Sequence, residues 1–248
     1  MSSRLATVRR IAAQLRADPR TVAIVLVMPL VLVTLLYLVF LDVPVPPGGR
    51  SVFDRIGPVM LAVLPMLLMF IVTSVTMLRE RRSGTLERLL TTPLSRWNLL
   101  ASYGAVFGML SVVQALLLGL LILGPLGVEI DGPPAVLLLV ALLDGLVGVA
   151  FGLLASAFAR TEFQAVQFMP VFIGPQLLLC GLFVPTDLMP DALGLIAACL
   201  PMTWAVDAVG DVLADSVGPG TVVDLGLLAA LVLVFLFVAS RSMPRQTR

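Results

Sequence analysis

This chain of 248 residues has few of the side chains on which protein chemistry depends. All 16 of its basic residues are arginine, and neither lysine nor histidine occurs. A phosphate-binding P-loop needs its lysine, so the chain cannot hold ATP in that way. A Ser–His dyad and histidine metal ligands are excluded on the same ground. We therefore expect no catalytic residue, no metal site and no cofactor bound by this chain.

Four polar side chains interrupt long apolar runs, where they could contact a transported molecule. Asp144 lies near the middle of one run, and an ionised carboxylate at that depth costs about 3 kcal/mol or more. It either lines a substrate path or subunit interface, or is a protonated or hydrogen-bonded packing residue. Gln114, Gln167 and Gln176 leave a similar choice between substrate contact and hydrogen bonding from helix to helix. These four residues are the candidate substrate path.

A second acidic pattern lies nearer the carboxyl end. Asp207, Asp211 and Asp215 recur every four residues, as on one face of a helix. We interpret this stripe as a solvated face rather than a cation site, because no other cluster of oxygen ligands is visible in the sequence.

Charge is concentrated in the segment "RERRSGTLERLLTTP", residues 79–93, which lies between two apolar runs. Gly84 breaks the preceding helix, and Pro93 ends the short helix that follows. Leu86, Leu89 and Leu90 share one face of that helix. Such a face suits a groove on a soluble partner. The pattern alone equally allows a solvated loop whose leucines dip into lipid.

The elements that position these residues are membrane-spanning helices. The chain is 59% hydrophobic and 12% charged, with a mean hydropathy of +1.08, whereas soluble domains carry about 25% charged residues. A helix needs about 20 apolar residues to cross a bilayer. We predict six spans, the fourth interrupted by Asp144, from these uncharged runs: Val22–Leu41, Gly57–Leu78, Trp97–Val128, Gly132–Leu143 with Gly145–Ala159, Phe163–Thr186 and Leu225–Ser240.

Arginine bias sets the expected orientation, because basic residues near membrane ends stay cytoplasmic. With both termini inside, 14 of the 16 arginines are cytoplasmic, and Arg50 and Arg55 are outside. We also expect Gly124-Pro125 to end the third helix.

Shorter helices are expected outside the spans. Residues 1–20 show apolar positions at helical spacing with arginines on other faces, which predicts an amphipathic helix in the inner interface rather than a disordered basic tail. Residues 185–220 predict two short helices at the outer surface, broken at Pro201. Gly148, Gly152 and Ser156 are four apart, a spacing that favours close packing within one subunit over a dimer seam. We expect Cys180 and Cys199 to be free, although a disulfide is an alternative.

Two stretches resemble a known family. "ERRSGTLERLLTTPLSRWNLL" is similar to the cytoplasmic segment of ABC-2 type transporter permeases, the membrane subunits of ATP-driven exporters that include the daunorubicin-resistance type. "GLFVPTDLMPDALGLIAACLPMTWAVDAV" resembles that family's outer re-entrant region between the fifth and sixth spans. The sequence departs from the family pattern at Trp204, where a tyrosine is frequent, and at Gly210, where an arginine is frequent.

The resemblance implies a role for residues 79–98. In the family the short inner helix is a coupling helix that seats in a cleft of the ATPase subunit. The residues expected to couple this chain to an ATPase are Glu80, Gly84, Thr85, Leu86, Glu87, Arg88, Leu89, Leu90 and Pro93.

The resulting expectation is a single all-α transmembrane domain over residues 1–248, in the cell membrane, with both termini cytoplasmic. It implies a permease subunit that exports an apolar or amphiphilic drug or lipid and is not itself an enzyme. Its partners would be two copies of an ABC ATPase that holds ATP and Mg, a second permease, identical or related, and membrane lipid, but no nucleic acid. The alternatives are an ion-coupled secondary transporter and a non-transporting membrane anchor for a soluble partner. An intramembrane protease is disfavoured, since it needs histidine or two facing aspartates.

Overall fold

The computed structural model describes residues 3–45, 49–82 and 96–242, and within these ranges the regular elements are all helical. The helices are α1 Ser3–Ala17, α2 Pro19–Phe40, α3 Val52–Arg82, α4 Arg96–Leu123, α5 Pro134–Phe158, α6 Glu162–Phe172, α7 Gly174–Leu179, α8 Asp191–Ala197, α9 Pro201–Leu213 and α10 Pro219–Ser242. A 3₁₀ turn, Thr186–Leu188, precedes α8.

Five helices are long and apolar enough to cross a membrane: α2, α3, α4, α5 and α10. They match five of the six predicted spans. Helix α4 ends at Leu123, as the Gly124-Pro125 pair predicts. Helix α10 begins at Pro219, so Asp224 lies inside its helix. The chain is therefore an all-α protein with several helices able to span a membrane.

The fifth predicted span is wrong as a single helix. The structure divides Phe163–Thr186 between α6, which has 11 residues, and α7, which has 6, followed by the 3₁₀ turn. Proline has no backbone N–H and interrupts the helical hydrogen-bond ladder. Pro170 lies in the last turn of α6, and Pro175 is the second residue of α7, which begins at Gly174. The uncharged run has the length of a span, but its prolines divide it into shorter helices.

The predicted amino-terminal helix is present as α1 and packs on α2 and α4. Ile11 is 2% exposed and belongs to an apolar cluster that also contains Leu100 and Tyr103 of α4. Val8 and Leu15 pack against the same cluster, whereas Leu5 is exposed. The apolar stripe of α1 is thus largely buried against the protein.

Helices α3 and α5 form the most extensive contact in the molecule. A Cβ atom added to Gly148 would lie 2.2 Å from the Met66 carbonyl oxygen, and one added to Gly152 would lie 2.6 Å from that of Phe70. Only glycine allows two backbones to approach this closely. The predicted packing of these glycines within one subunit is confirmed.

Residues 185–220, which are predicted to lie at the outer surface, contain two short helices, as predicted. Helices α8 and α9 meet at an angle of 88°, and the break falls just before Pro201. Helix α9 packs on α3, α5 and α10. On its acidic stripe, Asp207 and Asp215 are exposed, and Asp211 accepts a hydrogen bond of 2.6 Å from the Thr221 hydroxyl.

The acidic stripe and the cysteines were also predicted from the sequence. In the described ranges no group of three acidic or cysteine side chains lies close enough together to hold a metal ion. Cys180 is buried, Cys199 is exposed, and both are free thiols.

Candidate functional site

The carboxyl-terminal end of α3, predicted to be its inner end, is the best-defined polar site near the charged segment. The structure describes this helix as far as Arg82 and resumes at Arg96. Most of the predicted coupling residues lie outside the described residues: Gly84, Thr85, Leu86, Glu87, Arg88, Leu89, Leu90 and Pro93. Glu80 and its two neighbours are described, and each of the three binds a different helix. Successive residues of an α-helix point about 100° apart, so three consecutive side chains can reach three directions.

Glu80 binds α1. Its carboxylate is 2.7 Å from an Nη atom of Arg10, and the Glu80 residue is only 7% exposed. The buried Tyr103 side chain of α4 interacts electrostatically with both members of the pair. The carboxylate thus links the end of α3 to the middle of α1 and to the first turns of α4. A carboxylate this deeply buried is stable only when it is paired and hydrogen-bonded.

Arg79 binds the first residue of α6. Its Nε and one Nη donate to the two carboxylate oxygens of Glu162, each at 2.9 Å. Both side chains are exposed, and their paired hydrogen bonds lower the pKa of the Glu162 carboxyl. A bidentate arginine–carboxylate pair fixes orientation as well as distance.

Arg81 binds the end of α5. Its guanidinium donates to the backbone carbonyl of Ser156, two residues before α5 ends at Phe158. The last carbonyls of a helix have no partner within the helix and carry partial negative charge, so an arginine there satisfies one of them. The Ser156 hydroxyl donates to the carbonyl of Leu153 at 2.6 Å.

The junction between α1 and α2 lies beside this site. Asp18 caps α2, accepting hydrogen bonds from the Thr21 hydroxyl at 2.6 Å and from the Thr21 backbone N–H at 3.2 Å. These bonds, with a smaller contribution from the charge of Arg79, lower the pKa of the Asp18 carboxyl. The electrostatic effect of Arg79 thus extends to the start of the first span.

We call residues 79–81 with Arg10, Glu162 and the Ser156 carbonyl the inner brace, after the side of the membrane on which the sequence predicts them. It joins α3 to α1, α5 and α6, and it ends one residue before the last described residue of α3. The sequence placed Glu80, Arg79 and Arg81 at a membrane boundary, but their partners were missed. The available signal was that Glu162 directly precedes the uncharged run Phe163–Thr186, whereas Arg10, within the amino-terminal helix, carried no such signal.

The predicted substrate-path residues are not brought together as one site. Asp144 and Gln114 are both 0% exposed, and their side-chain polar atoms have no hydrogen-bond partner among the described residues. Gln176 donates to the Phe172 carbonyl at 2.8 Å and accepts from the Met202 N–H at 3.3 Å, so its amide is used within the fold. Gln167 lies on the exposed surface of α6.

Asp144 and Gln114 lie at similar depth. Gly108 faces Leu146, and Gly119 faces Leu138, so α4 and α5 run antiparallel. With a rise of about 1.5 Å per residue, this register places Gln114 within about one helical turn of the Asp144 level. Ser111, whose buried hydroxyl also has no partner in the described part of the chain, lies against the same stretch of α5 at Gly145.

The chain is similar to one protein family and to several proteins whose names agree with that family. Residues 3–213 match the family described as ABC-2 type transporter. The linearmycin resistance permease protein LnrN of Bacillus subtilis (strain 168) is 32% identical over 143 residues, which are 56% of this chain and 36% of that protein. The probable multidrug ABC transporter permease YbhR of Escherichia coli (strain K12) is 31% identical over 133 residues, 54% of this chain and 36% of the relative.

A third relative covers more of the chain. The probable multidrug ABC transporter permease YbhS of Escherichia coli (strain K12) is 29% identical over 168 residues, 67% of this chain and 45% of the relative. The chain therefore spans less than half the length of these three proteins. The family match, residues 3–213, includes the inner brace, helices α2 to α5 and helices α8 and α9. On this match the chain belongs to the ABC-2 type transporter family.

Proposed function

We propose that the chain is the membrane-spanning subunit of an ATP-driven exporter that moves an apolar or amphiphilic compound. Its family and the permease names of its relatives support this function. The motor would be a separate ABC ATPase that binds ATP and Mg, since the sequence has no lysine with which to build a P-loop. Two permeases, identical or related, would work with two ATPase chains in the cell membrane.

The observation that carries the proposal is the inner brace. Three consecutive residues at the end of α3 bind three other helices immediately before residues 83–95. In this proposal those residues contain the coupling helix, with Glu87, Leu89 and Leu90 contacting the ATPase. A displacement of that helix would then move α3 and α5 as one rigid body and act on α1 and α6 through the polar contacts of the inner brace.

The proposed orientation puts both termini and the inner brace in the cytoplasm, where ATP is available. It follows from the bias of arginines toward that side. Asp144 and Gln114 are the better candidates for the substrate path. Their polar atoms are buried without partners among the described residues, which is costly unless another state of the transporter supplies a partner. Gln176 is the weakest candidate, because its amide is already bonded.

Reconstitution with the partner ATPase tests the proposal. Leu89→Asp and Glu87→Arg should abolish transport and substrate-stimulated ATP hydrolysis in proteoliposomes while the permease still inserts. The matched control is Leu195→Asp, which makes the same change on an exposed leucine of the outer helix α8 and should leave both rates near wild type. Wild-type rates in Leu89→Asp would contradict the coupling role.

The same preparation tests the substrate path. Asp144→Asn should reduce transport several-fold while basal ATP hydrolysis persists, because the carboxylate would act on cargo rather than on the motor. Unchanged transport would assign Asp144 to packing.

A further inference from the structure

A cavity of about 440 Å³ lies at the opposite end of α3 from the inner brace. It is bounded by the first turns of α3, by α9 and by the loop after α7, and its volume falls within the usual range for ligand sites. We call it the outer cavity. Its apolar wall contains Ile56, Val59, Leu182, Phe183 and Leu213.

The charged side chains that line the outer cavity are both arginines, and they are Arg50 and Arg55. Arg50 is fixed by its neighbours: one Nη is paired with Asp131 and the other donates to the Leu213 carbonyl at 2.9 Å. Arg55 is exposed and forms no ion pair or side-chain hydrogen bond within the described ranges. One guanidinium at the cavity is therefore free to bind an anion.

The carboxylate next to Arg55 on α3 belongs to Asp54, and it is hydrogen-bonded at the start of the helix. Asp54 accepts a hydrogen bond from the Ser51 N–H at 2.9 Å, and the Ser51 hydroxyl accepts one from the Asp54 N–H at 3.1 Å. This reciprocal arrangement caps the start of α3. Asp54 does not line the cavity, and neither does any other acidic residue of the described chain.

We propose that the outer cavity binds an anionic amphiphile. Its carboxylate or phosphate head would pair with Arg55, and its apolar part would lie against Ile56, Val59 and Phe183. The placement rests on the proposed function, because the proposed orientation puts this cavity at the outer face, where an exporter releases its cargo. The same chemistry is offered by an exported compound and by an anionic phospholipid of the outer leaflet.

Gly210 offers a way to close the cavity without changing charge. It lines the cavity, and a Cβ added there would meet no atom within 4 Å. Gly226 of α10 has the same open surroundings but does not line the cavity. Leucine substitutions at the two positions therefore form a matched pair.

Binding can be measured on the full chain in neutral detergent, with dansylaminoundecanoate as the fluorescent probe. We expect saturable binding that Arg55→Gln weakens about tenfold, because a charge-assisted hydrogen bond is lost, while Arg55→Lys retains most of the affinity. Gly210→Leu should abolish binding and Gly226→Leu should not. Arg160→Gln, at an exposed arginine elsewhere, should have no effect. Unchanged affinity in Arg55→Gln, or equal losses in the two glycine variants, would overturn the proposal.

Competition identifies the ligand class and its source. Oleate should displace the probe at least about tenfold better than oleyl alcohol or sodium phosphate, since the site needs both charge and chain. Dioleoylphosphatidylglycerol displacing as well as oleate would identify membrane lipid as an occupant, and weaker displacement would favour an exported single-chain acid. Equal competition by oleate and oleyl alcohol would exclude an anion site. The assay contains no ATP and no ATPase, so its failure leaves the coupling proposal untouched, and the converse also holds.

Discussion

The middle and the inner end of α3 are held to their neighbours by different forces. In the middle, backbone packs on backbone where Gly148 and Gly152 of α5 face Met66 and Phe70. At the inner end, Arg79, Glu80 and Arg81 reach α6, α1 and α5 through long polar side chains. The glycine contact between α3 and α5 has no side chain that could adjust to a movement. The polar contacts at the inner end are made by side chains that can rotate and exchange partners.

This difference indicates which helices would move together and which would move relative to one another. Close-packed surfaces shift between discrete arrangements and do not deform gradually. We therefore expect α3 and α5 to move as one body inside the membrane. The bonds to α1 and α6 can break and form again, so the inner brace is where relative movement is least costly. Variants in the two regions should differ in the same way, with large effects on stability in the middle and smaller effects at the inner end.

Gly148→Leu should have the largest effect of the substitutions compared in these two regions. A Cβ there would lie 2.2 Å from the Met66 carbonyl oxygen, which belongs to a helix backbone and cannot rotate away. We expect a loss of about 3 kcal/mol or more in the free energy of unfolding, since overpacking a rigid contact forces backbone shifts. Unfolding in detergent by titration with denaturant measures it. Gly226→Leu, where nothing lies within 4 Å, should change stability little. Similar losses at both positions would contradict the assignment of α3 and α5 to one body.

The helices were largely predictable because the bilayer imposes a length and a composition on each span. Five of six spans, the end of α4 before Gly124 and the break before Pro201 follow from apolar run length and proline chemistry. The fifth span was wrong as a single helix because hydropathy counts side chains and does not register a missing backbone N–H. Pro170 and Pro175 were visible in the sequence, but the span was predicted from the length of the uncharged run, which takes no account of proline.

The site was predictable only in its position. Charges at the ends of apolar runs mark membrane boundaries, so residues 79–81 were placed near one. Their partners depend on how distant helices pack, and Arg10 and Glu80 are 70 residues apart in the sequence. No local pattern links α3 to α1 at that separation. The glycine spacing on α5 did predict close packing within the chain, because that signal is contained in one helix.

Arg10→Ala should have the second largest effect on stability. It tests the buried Arg10–Glu80 pair, in contrast to the exposed Arg79–Glu162 pair at the same end of α3. It would remove a partner of a carboxylate that is 7% exposed. Removing one partner of a fully buried pair costs about 3–5 kcal/mol, and we expect about 2 kcal/mol here because the Arg10 side chain is 28% exposed. Arg9→Ala, at an exposed arginine of the same helix, is the control for the loss of positive charge.

A second substitution shows whether the loss of the arginine partner causes this destabilisation. Glu80→Gln added to Arg10→Ala should recover part of the stability, since a buried neutral amide is less costly than a buried carboxylate that has lost its arginine. Chemical unfolding of the four proteins of the cycle measures the recovery. A double variant less stable than Arg10→Ala would show that Glu80 acts through its other contacts rather than through this pair.

Arg79→Gln should have the smallest effect, because the side chains of the Arg79–Glu162 pair are 60% and 44% exposed. Exposed pairs contribute about 0.5 kcal/mol, and salt screens them. The hydrogen bonds from Arg79 hold the pKa of the Glu162 carboxyl below its usual value of 4.5. The contribution of the pair is therefore fully present above that value and is lost as the pH falls through the lower pKa of the folded state. A double-mutant cycle with Glu162→Gln, measured at pH 7 and again in acid, should give a small coupling energy that disappears on acidification. If the coupling energy equalled that of Arg10 and Glu80, or persisted in acid, exposure would not be what separates the two pairs.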